Sequence, residues 1–142
     1  MHYILYCSTT SNELSENKLI QLHRNAQTSN REKNITGLLL NHKQRFIQFI
    51  EGNKSDLALV FDKVKQSRLH HQIKVLDSGT CTDRMFPSWS MAYDNLDNTV
   101  KGNMLKKAQF EDLFHRSNIV SSPLAVKLKL WTHSQSLFNI GV

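Results

Sequence analysis

The stretch Asn34 to Gly52, NITGLLLNHKQRFIQFIEG, limits what this chain can fold into more than any other. It reads as two strands, Ile35 to Leu40 and Arg45 to Glu51, joined by the polar turn Asn41-His42-Lys43-Gln44. In the second strand, alternation puts Phe46, Gln48 and Ile50 on one face and Ile47 and Phe49 on the other. Gln48 then lies between two large apolar neighbours on a face that has to be buried. An amide buried without partners costs about 1–3 kcal/mol, so Gln48 requires one.

The segments around the hairpin supply the rest of a sheet and two helices. Tyr3 to Ser8 is a strand with Ile4, Tyr6 and Ser8 on one face and Tyr3, Leu5 and Cys7 on the other. A helix begins either at Thr10, which has capping-box spacing to Glu13, or a turn later at Ser15. Leu19, Leu22 and Ala26 give it one apolar stripe, and it is expected to end near Ser29-Asn30, with a loop to Asn34. After Gly52, Ser55 is the expected N-cap of a second helix with Leu57, Val60, Phe61 and Val64 on its buried face. Leu69-His70-His71 reads as a connector, Gln72 to Asp77 as a strand, Ser78-Gly79 as a turn or bulge, and Trp89 to Tyr93 as a last strand.

The order β-α-β-β-α-β-β predicts an α+β, ferredoxin-like sandwich with two helices on one face of the sheet. The other face, carrying Ile47 and Phe49, needs a cover. The C-terminal third is expected to provide cap helices, from Phe110, Leu113 and Phe114 and from Ser122-Pro123 onward through Leu124, Leu128 and Trp131. The chain divides into a core, residues 1–97, and a C-terminal cap or output segment, residues 98–142, within one domain.

At 142 residues the chain is long enough to bury a substantial core. No apolar run approaches the roughly 20 residues of a membrane span. The N-terminal MHYILYCS lacks a basic region and reads as a strand, not an export signal. Cys7 and Cys81 fit no metal spacing and suit reduced thiols in a cytoplasmic protein. The net charge of +6 permits an acidic ligand without demanding one, and the basic residues are spread along the chain.

One face of the expected sheet collects polar groups that a core would not select. Tyr6, Gln48 and Asn30 are placed to converge on the helix side. A phenol and two amides together offer donors and acceptors suited to the edge of a planar heterocycle, with Leu22 and Val64 able to flank its faces. Each has an ordinary reading alone: Tyr6 a core tyrosine, Asn30 a helix C-cap, Gln48 a satisfied core amide.

The chain resembles the BLUF family, small flavin-binding sensors of blue light. The resemblance rests on Tyr6-Cys7-Ser8, on Asn30 ahead of Ile35-Thr36-Gly37-Leu38-Leu39, and on Phe46-Ile47-Gln48-Phe49-Ile50-Glu51-Gly52. It continues through His70-His71 and ends in Phe86 and Trp89-Ser90-Met91, so that it spans roughly residues 1 to 95. It implies FAD held between the two helices, with Tyr6, Leu22, Asn30, Phe46, Gln48, Val64 and His70 against it; FMN and riboflavin are the alternatives. Tyr6 would be the electron donor, and Gln48 the amide that rearranges between Tyr6 and the ring. Trp89 and Met91 are either ordinary strand packing or relays to the last strand. The chain departs from the family where an acidic residue and an arginine usually precede the histidine pair. Ser67 and Leu69 stand there, which bears on cofactor affinity.

Two other readings share this fold class. An acylphosphatase-like enzyme needs an arginine on a phosphate-cradling loop after the first strand, and Thr9-Thr10-Ser11-Asn12 has neither arginine nor glycine. A nucleic-acid-binding sheet needs exposed aromatics among basic residues on its central strands, and Phe46 and Phe49 face opposite sides. The tail after the core is too short for a cyclase or phosphodiesterase domain. The chain therefore reads as a sensor and not an enzyme, acting on a downstream protein partner or a second copy of itself.

Overall fold

The computed structural model describes residues 1–10, 15–87 and 92–95. The elements run β1 (His2–Thr10), α1 (Glu16–Glu32), β2 (Thr36–His42), β3 (Arg45–Gly52), α2 (Lys54–Gln66), β4 (His70–Thr80) and β5 (Ala92–Asn95). This is the expected order. The five strands form one sheet in the order β4-β1-β3-β2-β5, antiparallel except that β5 runs parallel to β2. The cap helices expected beyond residue 97 lie outside the described residues.

Both helices lie on the face that carries Tyr6 and Ile50. Tyr6, Ile35, Ile50 and Leu57 form a buried cluster there, with Ile4, Leu39, Val60, Phe61, Val64 and Ile73 packed against it. On the opposite face Leu5, Cys7, Leu38, Leu40, Ile47 and Phe49 are also buried. The central hairpin is tighter than its sequence suggests. Pairing continues to His42 and Arg45, leaving only Lys43 and Gln44 in the turn. Lys43 takes a positive φ of 57°, the hand that two-residue hairpins favour. Asn41 holds the turn by donating its Nδ2 to the Lys43 and Arg45 carbonyls. Next along the sheet, Gly37 lets β2 approach β3 closely. A Cβ on it would sit 1.9 Å from the Phe49 carbonyl oxygen.

Of three helix boundaries, one falls at an expected site and two differ from expectation, each for a local reason. Helix α1 starts at the later of its two expected sites, with Ser15 Oγ accepting from the Lys18 N–H. It does not stop at Ser29-Asn30 but continues to Glu32. Asn34, at φ 53°, turns the chain left-handed, and the Asn34 and Ile35 N–H groups return to the Arg31 and Asn30 carbonyls. That paired closure is a Schellman motif with asparagine in the position glycine usually takes. Helix α2 is capped by Asn53, not Ser55; Asn53 Oδ1 accepts from both the N–H and the hydroxyl of Ser55.

Strand β4 is longer than expected at both ends. His70 and His71 are strand residues paired with Thr10 and Thr9, not a connector, and Ser78 and Gly79 continue the ladder opposite Ile4 and Tyr3. The strand is irregular instead within its length. One extra β4 residue falls between Leu5 and Tyr6 of β1, and another between Cys7 and Thr9, where Gln72 has a φ of 53°. The extra residues bend an edge strand and break its alternation, and for that reason the pattern read shorter than the strand is.

Candidate functional site

The floor of the site follows from register. Tyr6 on β1 pairs directly with Gln48 on β3, and alternation points both toward the helices. The Tyr6 hydroxyl donates to Gln48 Oε1. This supplies the partner that an amide between Phe46 and Ile50 requires. Tyr6 is 2% exposed, and its ring meets Phe61 of α2 at 5.2 Å with a tilt of 55°. Burial pushes its phenol far above the ordinary range, so Tyr6 holds its proton throughout the accessible pH range.

Above this pair, α1 and α2 enclose a cavity of about 240 Å³. Leu22 lines it from α1 and Val64 from α2, so the two expected flanking residues stand on opposite walls. Asn30, 3% exposed, lines it from the last turn of α1, and Phe46 and His70 line it from the sheet. All seven residues expected to face a cofactor thus border one cavity. Trp89 and Met91 lie outside the described residues.

His70 is fixed from two directions. Its Nδ1 is 3.0 Å from the hydroxyl of Ser8, which is fully buried, and its ring meets Phe46 edge-on at 5.7 Å. Burial first, and the neighbouring His71 second, hold its pKa below the ordinary 6.5, so that the neutral imidazole is favoured. Ser67 and Leu69 also line the cavity, whereas the intervening Arg68 is exposed. Where the resemblance would place an acid and an arginine, this wall therefore presents a hydroxyl and an isobutyl group. The Ser67 hydroxyl is engaged by the Leu69 N–H at 3.2 Å.

Several lining residues were not singled out as site residues from the sequence. Leu19 and Ala26 extend the α1 wall, Leu39 and Val60 close the apolar side, and Ser29 and Lys63 add polar groups. The least expected is His23, which lines the cavity at 1% exposure. It heads a buried polar row with Gln27 and Asn30 at 4% and 3% exposure, spaced i, i+4, i+7 along one helix face. That spacing was present in the sequence, but the apolar Leu19, Leu22 and Ala26 stripe beside it masked it.

Comparison with known proteins gives a consistent picture. A family model described as BLUF, sensors of blue-light using FAD, matches residues 1–92. Photoactivated adenylate cyclase subunit alpha of Euglena gracilis is 31% identical over 107 residues, covering 75% of this chain and 10% of that protein. The chain spans about a tenth of the length of the curated relatives it matches. A bacterial light-regulated adenylyl cyclase of known structure is 28% identical, with a TM-score of 0.73 over 79% of this chain and 33% of that one. BlrB, a BLUF protein solved in its dark state, is 27% identical, with a TM-score of 0.68 over 91% of this chain and 92% of that one. Among the described residues no helix is long and apolar enough to cross a membrane.

Proposed function

This chain belongs to the BLUF family, the sensors of blue light using FAD, and we propose that it senses light through a flavin seated between α1 and α2, with Tyr6 as electron donor and Gln48 as the switching amide. One observation carries this reading: the Tyr6 hydroxyl bonded to Gln48 Oε1 on the floor of a cavity with apolar walls. The acylphosphatase-like and nucleic-acid-binding alternatives fall away with the family.

The residues present suit the ring. Leu22 and Val64 flank a planar ligand, while Asn30 and Gln48 offer amide donors and acceptors to its polar edge. When bound, the flavin supplies blue absorption and, once excited, a strong electron acceptor. Tyr6 is the buried donor beside it. An electron lost from a phenol makes its hydroxyl strongly acidic, so the proton leaves along the bond already made to Gln48. Burial keeps the phenolate from forming beforehand. Gln48 then has two near-isosteric orientations with donor and acceptor exchanged, so a rearranged network outlasts the return of electron and proton.

FAD is the cofactor in this reading; FMN and riboflavin share the ring and are the alternatives. His70 and Phe46 complete the pocket on the sheet side. Residues 1–97 act as the sensor core and 98–142 as the output segment, with Met91 and Trp89 as relays into it. Light changes the affinity of that segment for an effector protein or a second copy of the chain. Two free thiols suit a cytoplasmic location.

The test is an absorption spectrum of the purified protein in the dark and after seconds of blue light. The flavin bands are expected to shift slightly red and to recover in darkness, and Tyr6→Phe and Gln48→Leu to bind flavin without that shift. A colourless protein that refuses added FAD would overturn the reading. So would a Gln48→Leu protein with a normal reversible shift.

A further inference from the structure

Glu51 is the most deeply buried carboxylate described, at 1% exposure, and it belongs to the strand that carries Gln48. Three residues on from Gln48, it points to the opposite face of the sheet. Its Oε1 accepts from the Met85 N–H at 2.6 Å. Its Oε2 accepts from the Phe86 N–H at 2.7 Å and from the Thr36 hydroxyl at 2.9 Å. Two consecutive backbone amides thus grip one carboxylate, an arrangement well suited to an anion.

Arg84 closes the arrangement from outside. It donates Nη1 to Thr36 Oγ1 at 2.9 Å and to the Glu51 carbonyl at 3.3 Å, and Nη2 to the Asn34 carbonyl at 2.6 Å. A second contact runs beside it, where Phe49, the neighbour of Gln48, meets Phe86 edge-on at 5.6 Å. The segment from Arg84 to Phe86, which leads from β4 toward β5, is therefore pinned to the back of the central strand on either side of Ile50. None of these residues lines the cavity.

We propose that Glu51 is a positioning residue for the light response: it ties residues 84–86 to β3, so that a change at Gln48 on the helix face is delivered to the approach to β5 on the other. The inference rests on the photosensor reading above. It locates the hand-off at the carboxylate and the Met85 and Phe86 amides.

The experiment is residue-resolved amide hydrogen exchange on the full flavin-loaded chain, in darkness and under steady blue light, with the absorption spectrum recorded on the same sample. In the native protein, light is expected to speed exchange at Met85 and Phe86 by roughly tenfold while the Asn41 to Arg45 turn stays unchanged. In Glu51→Gln, where one amide faces a donor instead of an acceptor, exchange at these two sites is expected to be fast already in darkness and to gain little from light, with the red shift retained. Arg84→Met, which keeps the carboxylate and removes the outer brace, is expected to fall between the two and serves if Glu51→Gln does not fold. A native protein whose red shift forms while exchange at Met85 and Phe86 stays the same overturns the inference and leaves the photosensor reading standing. A Glu51→Gln protein with the full native light effect also overturns it. A flavin that shows no red shift at all removes the photosensor reading, and this inference with it.

Discussion

Removing either partner of the Tyr6–Gln48 bond should cost different amounts, because the two groups are buried differently. Both border the cavity, but Tyr6 is 2% exposed, whereas Gln48 is half-buried. In Tyr6→Phe the freed Gln48 oxygen can be hydrated from the cavity, so the loss is that of one net hydrogen bond, about 0.5–1.5 kcal/mol. In Gln48→Leu the hydroxyl of the more deeply buried Tyr6 loses its acceptor, and the loss is about 1–3 kcal/mol. The double variant removes both groups, and the orphaned hydroxyl with them. It should be less destabilised than the sum of the singles by about 1 kcal/mol, or about 3 °C in Tm for a chain of this size. Urea unfolding of the four flavin-free proteins measures this directly, since without cofactor no binding linkage enters. If the single effects add to within about 0.5 kcal/mol, the two side chains are not coupled, and the floor of the site has been misread.

His70 gives a pH dependence of known sign. Its folded pKa lies below the ordinary 6.5, so the unfolded chain takes up the proton first. Stability from this group is present above about pH 6.5 and is lost as pH falls through the lower folded value; thermal unfolding from pH 7.5 to 5 should fall more steeply for the native protein than for His70→Asn. Gly37→Ala should cost about 3 kcal/mol or more in urea unfolding, since its Cβ meets backbone that cannot swing aside. Asn53→Ala should lose about 1 kcal/mol as the cap of α2, and Ser55→Ala distinctly less; the reverse order would return the cap to Ser55.

What could be read from the sequence was whatever rests on period. Alternation along β1 and β3 sufficed to put Tyr6 and Gln48 on one face, and the helical stripes brought Leu22 and Val64 to it. What escaped depended on partners remote in the chain or on backbone hand. Asn34 ends α1 through a left-handed φ, which an asparagine tolerates without advertising. The two extra residues in β4 hide His70 and His71 from a period-2 reading. Glu51 looked like the polar end of a strand because its partners are backbone amides 34 and 35 residues further on, and backbone leaves no mark in residue identity. His23 was passed over because a polar residue on a helix is taken as solvated until something is known to cover it.

The direct opposition of Tyr6 and Gln48 in the ladder has a consequence for biogenesis. The pair is not assembled by side chains searching for one another; it is created when β1 zips onto β3 with Ile4 against Ile50 and Ser8 against Phe46. A slip of one residue would send Tyr6 to the far side of the sheet and bring Leu5 or Cys7 to the cavity floor. On the role proposed for the pair, such a molecule would keep its helices, much of its sheet and even its yellow colour, and yet be blind. The quality of a preparation should therefore be judged by the fraction of bound flavin that responds to light, not by the fraction of protein that is coloured.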